Sequence, residues 1–255
     1  MSELPEGWAE CTLGDLLEGI DAGRSFLCEE RPPTHDEFGV VKISAVTWGT
    51  YDEEQSKTCT NPDLVEPSFL IEDGDLLLSR ANTIELVGAA VIAEHVTKRI
   101  MLSDKILRLR TRPSVEKRWI LYFLHSREGR AQIESLATGN QQSMRNIGQE
   151  RLRSIVLPLP PLAEQRRIVE KVEALLSNTK ALSEHLRKSR KFVDQARHAI
   201  VDAACRGDLT ADWRQKRGIS TKAWRRVSFS DIIQSLRNGV SPRPQLEPPG
   251  TPILR

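Results

Sequence analysis

The sequence predicts an α+β fold in two parts: a globular domain on a mixed or antiparallel sheet, then a long helix that forms a coiled coil. Three observations carry that reading. Short apolar and β-branched runs separated by turn signals fill residues 8–160. A proline strut, Pro158-Leu-Pro-Pro161, closes the stretch. From Ile168 onward, apolar or small residues recur in alternating steps of four and three, which is the period of a coiled-coil seam.

In the globular half, Thr12 is a cap for a first helix over residues 13–20, with Asp15 in its first turn. Strands are expected over residues 40–46, 75–79 (after an Asp73-Gly74 turn), 87–92 and 105–110. Residues 119–126 read as a helix that offers Leu121, Phe123 and Leu124 to the core.

The rod follows. Its seam is Ile168, Val172, Leu175, Thr179, Leu182, Leu186, Ser189, Val193, Ala196, Ile200 and Ala203, on a helix of about 36 residues and roughly 54 Å. Neither Gly nor Pro interrupts it. One narrow apolar stripe cannot hold so long a helix in water, so Ile168, Val172, Leu175, Leu182, Leu186, Val193 and Ile200 are expected to pair with a second helix. Glu164 sits in the first turn, where the helix dipole favours negative charge. Arg206-Gly207 is the stop, a cation followed by a residue free to turn left-handed. A core helix of an ordinary bundle is the plainer alternative. Against it stand about five heptads of stripe and an opposite face rich in Arg and Lys, which suits solvent, a nucleic-acid backbone or an acidic protein.

With 28% charged and 39% hydrophobic residues, the 255-residue chain has ordinary globular composition and enough length for one large or two modest domains. No apolar run is long enough for a membrane span and no basic, apolar leader opens the chain, so a cytoplasmic protein with no membrane partner is expected. Cys11, Cys28, Cys59 and Cys205 form no Cys-x-x-Cys pair; free thiols are expected, with neither a disulfide nor structural zinc. The five histidines are dispersed, and no metal site is expected. The net charge of +2 hides a gradient. Residues 1–75 hold 4 basic and 18 acidic residues, residues 76–150 hold 12 and 7, and residues 151–255 hold 21 and 10. If the ligand is nucleic acid, the acidic first quarter is expected to face away from it.

Two polar clusters stand out. Residues 137–147 read as a turn between the last helix and the final strand of the domain, dense in Asn140, Gln141, Gln142, Ser143, Arg145 and Asn146. Such side chains read base edges, Asn and Gln on adenine and Arg on guanine. Arg80, Asn82 and Thr83 form a second cluster just after a strand, where loops carry function. An ordinary polar surface loop is the alternative for both.

The opening of the chain recurs near its end at an offset of 216. Trp8 meets Trp224, Asp15 meets Asp231, Leu16 and Leu17 meet Ile232 and Ile233, Gly23 meets Gly239, and Ser25 meets Ser241. After a loop shorter in the second copy, Val40-Val41-Lys42 meets Ile253-Leu254-Arg255. This is the pattern of domain, helix, domain, helix, carried here only into the start of the second domain.

At this point the chain resembles the specificity (S) subunit of type I restriction-modification systems. The resemblance rests on residues 157–168 running into the helix, Gly7-Trp8 with Leu13-Gly-Asp-Leu-Leu17, Val41-Lys-Ile-Ser44, Asp73-Gly-Asp-Leu-Leu77 and Ala204-Cys-Arg-Gly-Asp-Leu209, and it covers essentially the whole chain. It implies a non-catalytic DNA-recognition subunit with two target-recognition domains, each reading half of a split site in double-stranded DNA, held apart by an antiparallel pair of long helices. Methyltransferase (modification) subunits dock on those helices and restriction subunits bind outside them; S-adenosylmethionine, ATP and Mg belong to these partners. On this plan residues 1–160 are the first target-recognition domain, 161–207 the spacer helix, and 208–255 a linker and the incomplete start of a second domain, expected to be loosely ordered. The departure from the family is length, and a homodimer through the long helix is the arrangement that rebuilds a symmetric reader. The sequence itself shows no Asn-Pro-Pro-Tyr motif, no Gly-rich cofactor loop and no Walker loop. Competing readings are a coiled-coil adaptor between proteins, supported by the acidic first quarter, and the recognition fragment of a fused methyltransferase-nuclease, which the immediate start of the domain after Met1 speaks against.

Overall fold

The computed structural model describes residues 4–47, 49–141, 144–220 and 224–237. The chain divides into two units, Met1–Leu182 and Ser183–Arg255. In chain order, β1 (Ala9–Thr12), α1 (Leu13–Leu16) and β2 (Leu17–Ala22) are followed by β3 (Phe38–Val41) and β4 (Ser56–Cys59). Then come β5 (Leu76–Ser79), β6 (Ala81–Asn82), β7 (Ala90–Ile92), β8 (Arg99–Met101) and β9 (Ile106–Thr111). After α2 (Lys117–His125) and α3 (Arg127–Leu136) the chain forms β10 (Thr138–Gln141), β11 (Met144–Asn146), α4 (Gln149–Arg153), β12 (Val156–Leu159) and α5 (Leu162–Arg206).

The sheet β2-β9-β5-β7 is a wall between two cores, and its strands are antiparallel. β5 shows why. All four of its residues are buried, with Leu76 and Leu78 entering the core under the helices and Leu77 entering the core on the other face. Successive side chains point to opposite faces, so a strand covered on both sides must be apolar throughout. On the helical side Leu13, Leu16, Leu107, Ile120, Leu124, Ile133 and Leu152 join it. On the other, Val41, Val91, Ile100 and Leu102 do, backed by the sheet β4-β3-β8, whose β3–β8 pair is parallel. On the second face of β9, Arg108 is compensated by Asp21 at 3.0 Å, Asp75 at 3.2 Å and the carbonyls of Leu70 and Ser68, and Arg110 pairs with Asp21 at 3.2 Å.

The mixed, largely antiparallel α+β architecture matches the expectation, while three local expectations are corrected. The helix expected over residues 13–20 is a single turn. Thr12 and Asp15 form a capping box that starts it, with the Thr12 amide 2.8 Å from the Asp15 carboxylate, but Gly19 weakens its continuation and Leu17–Ala22 pairs with β9 instead. The strand expected over residues 40–46 stops at Val41, because Ile43–Ala45 turns as a 3-10 helix. The strand over residues 87–92 is confined to Ala90–Ile92, the preceding residues being bound in a turn whose Gly88 amide donates to the Ser79 carbonyl at 2.7 Å.

In α2, burial lowers the His125 pKa from its ordinary value of 6.5, and its Nε2 is 2.8 Å from the Ala90 carbonyl. A base with a lower pKa folded than unfolded takes up protons on unfolding. Its contribution to stability is therefore full above about 6.5 and declines as pH falls below it. The urea midpoint is expected to drop between pH 7 and pH 5 more steeply in the native chain than in His125→Gln; equal slopes would remove His125 as the source.

α5 begins earlier and runs longer than the seam requires, 45 residues from Leu162. Its first turns dock on the domain through a face of their own. Gln165 and Val169 are buried, Glu164 accepts from the Trp8 indole at 3.2 Å, and Glu173 pairs with Arg118 at 2.8 Å. Trp8 also packs edge-on against Trp119, with ring centroids 5.8 Å apart. Along the seam, Ile168 and Val172 are half-buried, whereas Leu175, Leu182, Leu186, Val193 and Ile200 are all at least 50% exposed.

In the second unit the helix stops where expected. Gly207 takes φ +79°, a left-handed conformation that costs glycine nothing. Beyond it, α6 (Ala211–Lys216) presents Arg214 to the Gly207 carbonyl at 2.6 Å and to the Trp224 ring at 5.2 Å. Within the described part of the repeat, the capping box recurs: the Ser228 amide donates to the Asp231 carboxylate at 2.8 Å, as Thr12 does to Asp15. Gly239, Ser241 and residues 253–255 lie outside the described residues.

Candidate nucleic-acid interface

The two polar clusters, some sixty residues apart in sequence, meet in one three-stranded sheet ordered β10-β11-β6. Within residues 137–147, expected as a turn, β10 and β11 therefore pair as the antiparallel arms of a hairpin. β11 pairs antiparallel with β6, setting Arg145 opposite Asn82 and Asn146 opposite Ala81. Arg80 Nε donates to Asn146 Oδ1 at 3.3 Å, and the Ile147 amide to the Arg80 carbonyl at 2.9 Å. Paired strands hold their side chains far more firmly than a free loop does.

Two features fix the hairpin. Gly139 adopts φ +132°, and a Cβ there would lie 2.4 Å from the Met144 carbonyl oxygen, so no other residue fits without moving the strand. Arg145 bonds back to the Gly139 carbonyl, while the Thr138 hydroxyl donates to the Asn146 carbonyl at 3.2 Å. The turn after β6 is braced from below. Arg130 of α3 donates to the carbonyls of Val87 at 2.6 Å and Ile84 at 3.1 Å. Asn82 Oδ1 accepts from the Thr83 amide at 2.8 Å. The Thr83 hydroxyl helps hold the Glu85 carboxyl below its ordinary range, after the Glu85 backbone itself.

Arg80, Asn82, Thr83, Arg145 and Asn146 are thus gathered at one sheet. Asn140 and Gln141 lie on β10, with only their backbones described, and Gln142 and Ser143 lie outside the described residues. Met144, the first residue of β11, is 70% exposed. Residues overlooked in the sequence adjoin this sheet: the Lys105 carbonyl accepts from the Arg80 amide at 2.9 Å. Among the described residues no group of three or more His, Cys, Asp or Glu side chains is placed to hold a metal ion, and no helix is long and apolar enough to cross a membrane.

The fold and its polar sheet define a two-part chain, a braced α+β domain that continues into a long, heptad-striped helix. Residues 5–189 match the model of the type I restriction modification DNA specificity domain, and the chain belongs to that family. It is similar to the type I restriction enzyme EcoEI specificity subunit of Escherichia coli, 32% identical over 204 residues that cover 79% of this chain and 34% of that protein. With the EcoKI specificity subunit of Escherichia coli strain K12 it shares 25% identity over 260 residues, 99% of this chain and 54% of that one. Among solved structures, a chain from work on complex assembly and conformational transition of the type I R-M system is 25% identical with a TM-score of 0.60, over 81% of this chain and 48% of the other. The HsdS subunit from Thermoanaerobacter tengcongensis is likewise 25% identical, with a TM-score of 0.52 over 81% and 47%. The chain therefore spans between about a third and a little over half the length of these relatives.

Proposed function

We propose that this chain is a DNA-recognition component of a type I restriction-modification complex, reading one half of a split site in duplex DNA with residues 1–160 and presenting α5 as spacer and scaffold. It has no active site of its own. Methylation and cleavage fall to modification and restriction subunits, which hold S-adenosylmethionine, ATP and Mg, and the assembly works in the cytoplasm. The observation that carries the reading is the union of Arg80, Asn82, Arg145 and Asn146 in one sheet inside the region that matches the specificity-domain family. Asn and Arg side chains make the bidentate contacts that distinguish adenine and guanine in the major groove.

Selection of bound sequences from a random duplex pool tests it. The native chain is expected to enrich one short motif. Arg145→Ala is expected to lose about 1–3 kcal/mol of binding and to relax the preference at one position. Unchanged affinity and unchanged preference would remove the hairpin from the interface. The adaptor reading has the acidic first quarter and the exposed apolar seam of α5 on its side, but an adaptor has no use for a reading hairpin, and a pool with no enriched motif is its signature.

A further inference from the structure

A cavity of about 320 Å³ opens where the C-terminal ends of β3 and β8 meet β4, lined among others by Phe26, Lys42, Ser44, Lys57, Ser103 and Lys105. Its position follows from register. Val40 faces Lys57 across the β3–β4 pair, and Lys42, two residues on from Val40, falls on the same face. Both ammonium groups close on one carboxylate: Lys57 Nζ bonds to Glu30 Oε1, and Lys42 Nζ lies 3.4 Å from Glu30 Oε2. Lys105 reaches the cavity from the β8–β9 turn, paired with Asp104 at 3.0 Å. Ser103 is buried at 5% exposure, and its hydroxyl has no hydrogen-bond partner among the described residues.

The two lysines already bracket a two-oxygen monoanion. Glu30 is the replaceable part of that arrangement, since its side chain is 68% exposed and hangs from a loop. A phosphodiester carries the same single charge on two oxygens and takes charge-assisted bonds from ammonium groups and hydroxyls. Lys105, which lines the cavity, also accepts through its carbonyl from the amide of Arg80, the residue before β6 of the hairpin sheet. We infer that this cavity holds a backbone phosphate of the DNA strand read by the hairpin, which replaces Glu30 between Lys42 and Lys57, while Lys105 adds its charge from the β8–β9 turn. This rests on the DNA-recognition reading. It also revises the expectation that the acidic first quarter faces away from nucleic acid, because two of its four basic residues line this site.

The test is a fluorescence-anisotropy titration of the full chain with labelled duplex DNA at several salt concentrations. Lys57→Met is expected to bind several-fold more weakly, with a salt slope shallower by about 0.9, the signature of one lost phosphate contact. Glu30→Gln is expected to bind several-fold tighter. Glu54→Gln is the control: it removes the same charge and frees Lys98, its partner at 2.6 Å, just before the other end of β8. Glu30→Gln does not depend on Lys57→Met folding. If the native chain binds duplex but Glu30→Gln and Glu54→Gln behave alike and the slope of Lys57→Met is unchanged, the cavity assignment is wrong and the DNA reading stands. No binding of duplex by the native chain overturns both. Calorimetric binding of inorganic phosphate that Lys57→Met abolishes, with duplex isotherms unaltered, assigns the cavity to free phosphate and overturns the inference.

Discussion

Gln165→Ala is expected to destabilise the first unit by about 2–4 kcal/mol. Gln165 is 1% exposed, and its amide is used at both ends: Oε1 accepts from the Glu116 amide at 2.9 Å and Nε2 donates to the Pro160 carbonyl at 2.8 Å. Glu116 is the cap of α2 and Pro160 lies in the strut two residues before α5, so one side chain ties two helix starts together. Truncation leaves a part-buried N–H and a buried carbonyl without this partner, each costing roughly 1–3 kcal/mol, and opens space between them. The same seam holds the Trp8–Glu164 bond and the Trp8–Trp119 contact, so the loss is expected to show as a lower urea midpoint with altered tryptophan fluorescence. Arg166→Ala, at an exposed neighbouring position, is expected to leave the midpoint within about 0.5 kcal/mol of native. Equal stability of the two variants would mean that water replaces the amide at no cost.

Gln165 also marks what the sequence conceals. Within Pro158-Leu-Pro-Pro-Leu-Ala-Glu-Gln it reads as one more polar residue at a helix start, and only the fold shows it to be the peg on which the helix hangs. The heptad stripe was legible because its period depends on α5 alone, and the Gly207 stop because a left-handed cap is local chemistry. β5 was legible for the same reason, an apolar run too short for a helix. The polar character of residues 80–83 and 140–146 was visible. Their union was not, because it lies in backbone pairing across some sixty residues, for which no local pattern codes. The helix over residues 13–20 misread a real capping box as the start of several turns, when pairing with β9 takes the chain after one. The lysine cavity was hidden by averaging. A first quarter with 18 acidic residues conceals two lysines that the β3–β4 register sets side by side.

Leu182→Glu together with Leu186→Glu is expected to abolish self-association of the chain through α5. The two residues are one turn apart on a single face, 60% and 63% exposed, in line with Leu175, Val193 and Ile200 at 50–58%. A stripe of this length left in water is a standing cost, and each large apolar residue that moves from half-exposed to buried in a helix pair gains on the order of 1 kcal/mol. An antiparallel pair about a twofold axis sets each end of one helix against the other end of its partner, so the same surface serves both chains. Light scattering of the native chain at micromolar concentration is expected to give twice the 28.8 kDa of one chain, and the doubly substituted chain to give the single mass. Circular dichroism should show an intact domain, since the fixed part of α5 is held at Gln165 and Val169, well before the substituted positions. A native chain that stays at 28.8 kDa would remove self-pairing and assign the seam to another helix, such as the second long helix of the domain-helix-domain-helix pattern.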